Sequence, residues 1–245
     1  GDEEVLPVSS IPALGASTYS HLPLTFIQRG NVREIGHGRV VVVIITIERL
    51  LPRASATAAL LAQSLRLETN DIAITLGIDG NINAIPGKFA LFYFYRDVLL
   101  PRLHEQFPLA DQIWLAEDDV RMAEGITPLT LAKIVTMIQT APRPMVFLGY
   151  CNTRKTLEYK HIKPDYGLHL WAVKPSFAGL LASMMMEYPV EHVDNFFLRR
   201  FPELIAYTSA PLAGYMAHVS DCADPGDSQL LNGIRPALEV KLQAA

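Results

Sequence analysis

Cysteine is scarce in this chain of 245 residues, as are charged side chains and long apolar runs. The two cysteines, Cys151 and Cys222, lie far apart in the sequence. They make no disulfide framework, and neither belongs to a CxxC pair of the kind that holds a metal ion. The sequence therefore excludes a small disulfide-stabilised domain and a cysteine-based metal site.

Charged residues make up 19% of the chain and hydrophobic residues make up 50%. A chain with this much apolar surface can bury a core, which excludes disorder as a description of the whole chain. The 21 Lys and Arg residues are outnumbered by 25 Asp and Glu residues, which gives a formal net charge of -4. This balance argues against a nucleic-acid binder that is held mainly by phosphate contacts.

The longest apolar run, Val40–Ile47, has 8 residues and is bracketed by Arg39 and Glu48. A membrane span needs about 20 apolar residues, so the sequence predicts no transmembrane helix. The pattern of a signal peptide is not visible either. We therefore expect a cytoplasmic protein, or a protein of the secretory-pathway lumen if a native N-terminal segment has been removed.

Two parts of the chain differ in pattern. Residues 1–39 carry several prolines and glycines and predict an irregular arm with one short strand near Leu24–Gln28. In residues 40–245, apolar runs of strand length alternate with helical patterns, which predicts a single three-layer α/β/α domain with a mostly parallel sheet. Val40–Ile47 is β-branched throughout, so we expect this strand to be central. The other predicted strands are Asp71–Leu76, Ile113–Ala116, Met145–Gly149, Leu168–Val173 and Ile205–Thr208, and the predicted helices are Ala54–Leu67, a kinked or broken Lys88–Gln106, Pro128–Gln139, Pro175–Met186 and Asp194–Arg200.

Three carboxylates, Glu117, Asp118 and Asp119, directly follow the predicted strand Ile113–Ala116. Ligands of open α/β sheets bind in the crevice beyond the carboxyl ends of the strands. Because alternate residues of an extended segment point the same way, we expect Glu117 and Asp119 to converge on one cation. Carboxylate oxygens suit Mg²⁺ or Mn²⁺, which commonly share a coordination shell with phosphates. A solvated acidic turn is the alternative interpretation.

An apolar strand that ends in Glu-Asp-Asp, downstream of an apolar strand that ends in Glu48-Arg49, resembles the GT-A nucleotide-sugar glycosyltransferases. More narrowly, the chain resembles glycosyltransferase family 25, the lipopolysaccharide-type and collagen-type sugar transferases. Three later segments resemble segments of that family in the same order, residues 145–149 (MVFLG), residues 167–181 (GLHLWAVKPSFAGLL) and residues 189–194 (PVEHVD). The resemblance covers about residues 40–222 and implies a Rossmann-like GT-A fold.

For the metal ion, Mn²⁺ or Mg²⁺, the resemblance implies Asp119 and Glu117 as ligands, with His218 completing the shell. His169 and His192 are further histidine candidates. A lone histidine is more often a surface residue or a satisfied core residue, so this alternative stands beside each of the three.

For the base that accepts the proton of the acceptor hydroxyl, Asp194 is the candidate and Glu191 the fallback. Asp194 precedes a short apolar segment, so an ordinary helix N-cap is the alternative role. A residue at a helix start can serve both roles when it faces a cleft.

For the nucleotide, the resemblance points to the end of the first strand and to the acid motif. The residues expected to bind it are Thr46, Ile47, Glu48, Arg49, Arg53, Asp79 and Asp118. Arg53 is expected to reach the diphosphate and Asp118 to face the ribose or the sugar. A surface arginine at position 49 and a simple turn at Asp79 are the alternatives.

The sequence as a whole predicts a metal-dependent glycosyltransferase that uses a nucleoside-diphosphate sugar, with UDP favoured and with inversion implied by the resemblance. The acceptor is a glycan, a protein side chain or another hydroxyl. One alternative is a nucleotidyltransferase or phosphodiester enzyme that uses the same carboxylates. The sequence contains neither a GxxxxGK[ST] loop nor a second acidic cluster at a strand end, as such an enzyme would require. A non-catalytic nucleotide- or sugar-binding module is the other alternative.

Overall fold

The structure, a computed structural model, describes residues 19–151, 164, 166–208, 212–215 and 242–244. The strands within these ranges are β1 (Thr25–Gln28), β2 (Arg33–Ile35), β3 (Gly38–Thr46), β4 (Ala73–Leu76), β5 (Gln112–Glu117), β6 (Val120–Met122), β7 (Met145–Cys151), β8 (Tyr166–Val173), β9 (Ile205–Thr208), β10 (Ala213–Tyr215) and β11 (Leu242–Ala244). The α-helices there are α1 (Leu51–Leu65), α2 (Gly80–Asn83), α3 (Gly87–Tyr93), α4 (Leu103–Gln106), α5 (Pro128–Thr140), α6 (Pro175–Met185) and α7 (Val193–Arg200).

All of these strands join one sheet, whose main path runs β1-β4-β3-β5-β8-β7-β10-β6. β3 pairs in parallel with β4 and with β5, and β7 pairs in parallel with β9 and with β10. β8 runs antiparallel between β5 and β7. Strands β3, β4, β5, β7, β9 and β10 therefore share one direction, which confirms the predicted α/β sheet of mostly parallel strands. The Val40–Ile47 run forms most of β3 and is interior to the sheet.

Helices cover both faces of the sheet. Successive residues of β3 alternate between two buried clusters, because side chains of a strand point to opposite faces. Val41 and Val43 face the layer that contains α3, α4, α6 and α7. Val42 and Ile44 face the layer that contains α1 and α5. The predicted three-layer α/β/α arrangement is confirmed.

Residues 19–39, the described part of the predicted arm, contribute β1 and β2 to the same sheet. β1 pairs antiparallel with β4 and β2 pairs antiparallel with β3. The predicted short strand near Leu24–Gln28 is therefore confirmed as β1. In the described ranges, no helix combines the length and the apolar character that crossing a membrane requires.

The structure confirms some of the predicted helix boundaries and corrects others. The predicted start of α5 at Pro128 is confirmed, and Thr127 caps the helix, because its Oγ1 accepts a hydrogen bond of 3.1 Å from the Thr130 N–H. The predicted Lys88–Gln106 helix is indeed broken: a π-helical stretch (Phe94–Leu99) and a 3-10 helix (Leu100–Arg102) separate α3 from α4. The predicted start of α1 at Ala54 was wrong, since the helix begins at Leu51 with Pro52 in its first turn.

Candidate functional site

A cleft with a volume of about 150 Å³ opens at the carboxyl ends of β3 and β5. It lies where ligands of α/β sheets bind. Its polar wall comes from the ends of these two strands and from the start of α1. The polar and charged side chains that line it are Thr46, Arg49, Arg53, Asn81, Glu117, Asp118 and Asp119.

Strand alternation separates the first two acids of the motif. Glu117 is the last residue of β5 and pairs with Ile45 of β3. It lies two residues after Leu115 and therefore on the same face of the strand, the face toward the α7 layer. Asp118 points to the opposite face of the sheet, where its side chain contacts Arg53 of α1. The motif therefore presents carboxylates to both sides of the sheet edge.

The Asp118 carboxylate has a protein partner on each oxygen. Thr46 donates its hydroxyl to Oδ2 at 2.7 Å, and Arg53 donates Nη2 to Oδ1 at 2.5 Å. Thr57 Oγ1 also donates to the Asp118 backbone carbonyl at 2.6 Å. Burial raises the pKa of Asp118, while the bonds from Thr46 and Arg53 oppose that rise. Asp118 thus ties the acid motif to β3 and α1.

The carboxylate of Glu117 lies in a concentrated negative field. Partial burial at the cleft wall raises its pKa well above the ordinary value, and the charges of Asp119, Asp194 and Asp118 raise it further. Asp119 itself is buried, with 6% of its surface exposed. All three acids of the motif and a fourth from α7 therefore interact at this edge of the sheet.

Asp194 lies in the first turn of α7, after the N-cap residue His192. Its Oδ2 accepts a hydrogen bond of 2.6 Å from the Gly167 N–H, and its Oδ1 accepts one of 2.8 Å from the Asn195 N–H. His192 Nδ1 lies 3.6 Å from Oδ1. The alternative role of Asp194 as the N-cap was wrong, because position 192 takes that place.

Glu191, the fallback base, pairs with two arginines of α7. Its carboxylate oxygens lie 3.5 Å from Arg199 Nη1 and 3.4 Å from Arg200 Nε. These contacts tie Glu191 to the last turn of α7. Neither Glu191 nor Asp194 is among the residues that line the cleft.

The predicted nucleotide-binding residues fall into two groups. Thr46, Ile47, Arg49, Arg53 and Asp118 line the cleft. Glu48 is exposed in a 3-10 helix and Asp79 caps α2, and neither lines the cleft.

Asp79 lies outside the cleft but makes hydrogen bonds to residues that line it. Its Oδ1 accepts a hydrogen bond of 2.9 Å from the Asn81 N–H, and its Oδ2 accepts one of 3.2 Å from Arg49 Nε. Asp79 therefore holds Arg49 and the start of α2, both of which contribute to the wall.

The opposite wall of the cleft is apolar and was missed from the sequence. It includes Ile78, Leu91, Phe94 and Tyr95. Phe94 and Tyr95 belong to the π-helical stretch, a rare geometry that often occurs at functional sites. Tyr95 is buried, as a core residue would be, but it also borders the cleft. No periodicity in the sequence marks a π-helical turn.

The donor set of the cleft fits a hard divalent cation that shares its shell with a ligand. Mg²⁺-type ions are commonly bound through one or two carboxylates together with substrate phosphates. Glu117 and Asp119 supply such carboxylates. In the part of the chain that the structure describes, no group of three or more His, Cys, Asp or Glu side chains is placed to hold a metal ion. His218, the predicted additional ligand, lies outside the described residues.

Comparisons with known proteins give similarities to solved structures only. No family model matches the chain, and no curated protein matches it. One similar solved structure is that of a glycosyltransferase involved in the glycosylation of the major capsid of PBCV-1. The two chains share 10% sequence identity at a TM-score of 0.45, over 74% of this chain and 94% of that chain. Because this similarity is weak, we argue the function from the residues of the cleft.

Proposed function

We propose that the chain is a metal-dependent glycosyltransferase of the GT-A type. It would move a sugar from a nucleoside-diphosphate donor, with UDP favoured, to the hydroxyl of a glycan, a protein or another acceptor. One observation carries the proposal: Glu117 and Asp119 line a cleft at a strand end, and Asp194 lies near enough for its charge to act on Glu117. The resemblance of the motif order to glycosyltransferase family 25 supports the same function.

Each wall of the cleft has a proposed task. Arg49 and Arg53 bring positive charge that can attract a diphosphate, and guanidinium groups pair well with phosphate oxygens. Leu91 and Phe94 offer an apolar surface for a planar base. A divalent cation held by Glu117 and Asp119 would neutralise the leaving diphosphate as a Lewis acid.

The stereochemical part of the proposal assigns Asp194 as the base. Inversion at the anomeric carbon is a single in-line displacement, so one carboxylate must take the proton of the acceptor hydroxyl. Asp194 belongs to α7, and the acid motif belongs to β5, so the two carboxylates come from separate elements. The backbone N–H groups of Gly167 and Asn195 hold the Asp194 carboxylate in place.

Thermal unfolding in the presence of nucleoside diphosphates tests the proposal. The protein is melted with UDP, GDP, CDP or ADP, each with and without Mn²⁺. We expect one diphosphate to raise Tm only when metal is present, with a gain of about 2.7 kcal/mol at a hundredfold excess over Kd. Asp119→Asn should lose this gain, whereas Asp111→Asn, far from the cleft, should keep it. Stabilisation by none of the diphosphates would contradict the proposal.

Turnover then separates the transferase from the two alternatives. The stabilising diphosphate is supplied as a panel of its sugar conjugates, and release of the free diphosphate is followed. A transferase should release the diphosphate, slowly to water and faster with an acceptor. A phosphodiester enzyme would release the nucleoside monophosphate instead, and a binding module would release neither.

A further inference from the structure

His169 places a polar side chain beside the acid motif. Its Nδ1 lies 3.3 Å from Oε2 of Glu117, and only 3% of its side chain is exposed. Glu117 keeps 35% of its side chain exposed, so the buried imidazole meets the carboxylate from the protein side. The contact joins β8 to the end of β5.

Strand register explains why the two side chains meet. β5 and β8 are antiparallel, with Ile113 opposite Val173 and Leu115 opposite Trp171. Two residues further along β5 and two residues back along β8, the same alternation sets Glu117 beside His169. Trp171 and Val173, on the same face of β8, are apolar and buried. A histidine in this row is costly to bury unless it makes polar contacts.

We propose that His169 is a positioning residue that fixes the Glu117 carboxylate for a divalent cation. The inference rests on the proposed function, because it concerns the metal site of that function. When Glu117 is ionised, as a metal ligand must be, its oxygens only accept hydrogen bonds, so the imidazole must carry a proton on Nδ1 and donate it to Oε2. Oε1 of Glu117 is then left for the cation. Partners that orient a ligating carboxylate in this way typically contribute strongly to metal affinity.

Two substitutions at position 169 separate positioning from packing. The amide nitrogen of Asn can replace Nδ1 of histidine, whereas the amide nitrogen of Gln reaches the position of Nε2. We expect His169→Gln to weaken Mn²⁺ binding by roughly 10–100-fold, measured by EPR of free Mn²⁺. His169→Asn should recover most of the affinity. An equal loss of Mn²⁺ affinity in both variants, or no loss in either, would overturn the inference.

A double-mutant cycle and a packing control accompany these variants. In a Glu117→Gln background, His169→Gln should change Mn²⁺ affinity no further, because the positioned carboxylate is already absent. Val173→Ala, on the same face of β8 but away from the cleft, should lower Tm and leave Mn²⁺ affinity unchanged. Additive effects of the Glu117 and His169 substitutions would overturn the inference.

A measurement on the unmodified protein removes any dependence on how the variants fold. ¹⁵N NMR of histidine-labelled protein reports which ring nitrogen of His169 carries the proton. With saturating Mg²⁺, which keeps Glu117 ionised, we expect a proton on Nδ1, and an unprotonated Nδ1 would overturn the inference. If the unmodified protein binds Mn²⁺ while His169 proves indifferent, only the inference fails. If the unmodified protein binds no Mn²⁺, the metal site of the proposed function fails as well.

Discussion

The backbone N–H of Gly167 donates a hydrogen bond of 2.6 Å to Oδ2 of Asp194, which ties the first turn of α7 to the start of β8. Gly167 has a φ of 83°, a left-handed conformation that favours glycine. The charge of Asp194 also acts on Glu117 at the end of β5. Two strands and one helix therefore determine where this carboxylate lies relative to the acid motif.

Replacing Asp194 with asparagine tests its role as the base. Asn keeps the shape and one oxygen that can accept the Gly167 N–H, but it cannot take a proton. We expect turnover to fall by about 10²–10⁴-fold, the usual contribution of general-base catalysis, while donor binding stays nearly unchanged. Steady-state kinetics with the sugar nucleotide and NMR of the product anomer provide the measurement.

Glu191→Gln is the matched control for that variant, because Glu191 lies in the same segment and pairs with Arg199 and Arg200. It should remain close to wild type in turnover. A near-wild-type rate for Asp194→Asn, or a product with retained configuration, would remove Asp194 from the proposed role.

Removal of the Asp119 carboxylate should abolish transfer and leave the fold intact. An acid placed for an ion in a cleft adds little to packing, so Tm of Asp119→Ala should stay close to that of the wild type. Activity is measured with and without a chelator. Full activity in Asp119→Ala would remove Asp119 from the metal site, and activity that is indifferent to the chelator would contradict metal dependence as a whole.

Asp71→Ala provides the opposite control, since Asp71 is a buried acid with a structural role. It accepts hydrogen bonds from Arg33 Nε at 2.7 Å and from the Glu68 N–H at 3.0 Å. We expect this variant to lower Tm and to leave metal and nucleotide binding unchanged.

Arg53 and Asp118 should prove energetically coupled. Arg53→Ala leaves the Asp118 carboxylate without one of its partners, and an unsatisfied buried group costs about 1–3 kcal/mol. Asp118→Asn in the Arg53→Ala background removes the charge and should restore part of the lost stability. Urea unfolding of the two single variants and the double variant measures the coupling. Strictly additive losses would show that the pair contributes nothing as a pair.

The pH dependence of stability should reveal the raised pKa of Glu117. An acid with a raised folded-state pKa loses stability as pH rises from its ordinary pKa through the raised value, because the unfolded chain ionises first. Glu117→Gln should therefore raise Tm of the metal-free protein at neutral pH. The difference should disappear below the ordinary pKa of glutamate, where both proteins carry a neutral side chain. Melting curves across this range provide the test.

Asp111→Asn should change Tm in the opposite direction. The hydrogen bond from Arg39 lowers the pKa of Asp111, so its ionised form stabilises the fold above its ordinary pKa and the contribution is lost as pH falls. At neutral pH we expect a lower Tm for this variant. If both variants changed Tm in the same direction at neutral pH, the raised pKa of Glu117 and the lowered pKa of Asp111 could not both be right.

Sequence reasoning predicted the layers of this fold well, because the patterns involved are local. The β-branched run of β3 indicates burial on both faces, and Thr127-Pro128 marks the start of α5 through its own chemistry. The start of α1 was missed because its N-cap residue, Leu50, has no side chain that can cap the helix. The π-helical stretch Phe94–Leu99 was also missed, since its residues show no pattern that distinguishes it from an α-helix.

The candidate site was predictable only in part. The position of Glu117 and Asp119 at a strand end follows from adjacency in the sequence. The partner of Asp118 is Arg53, 65 positions away, and a contact of this kind depends on how α1 packs on the sheet. The contact of Glu117 with His169 likewise requires the register of β5 and β8, which the sequence alone does not provide.

A crystal structure of the protein soaked with UDP and Mn²⁺ tests the central claim most directly. The account predicts the metal ion on Asp119 and Glu117, the diphosphate between that ion and the arginines of the cleft, and the base against the wall that contains Phe94. Asp194 should lie on the open side of the diphosphate, where an acceptor hydroxyl can approach. A nucleotide bound elsewhere, or a metal ion that avoids both carboxylates, would contradict the account.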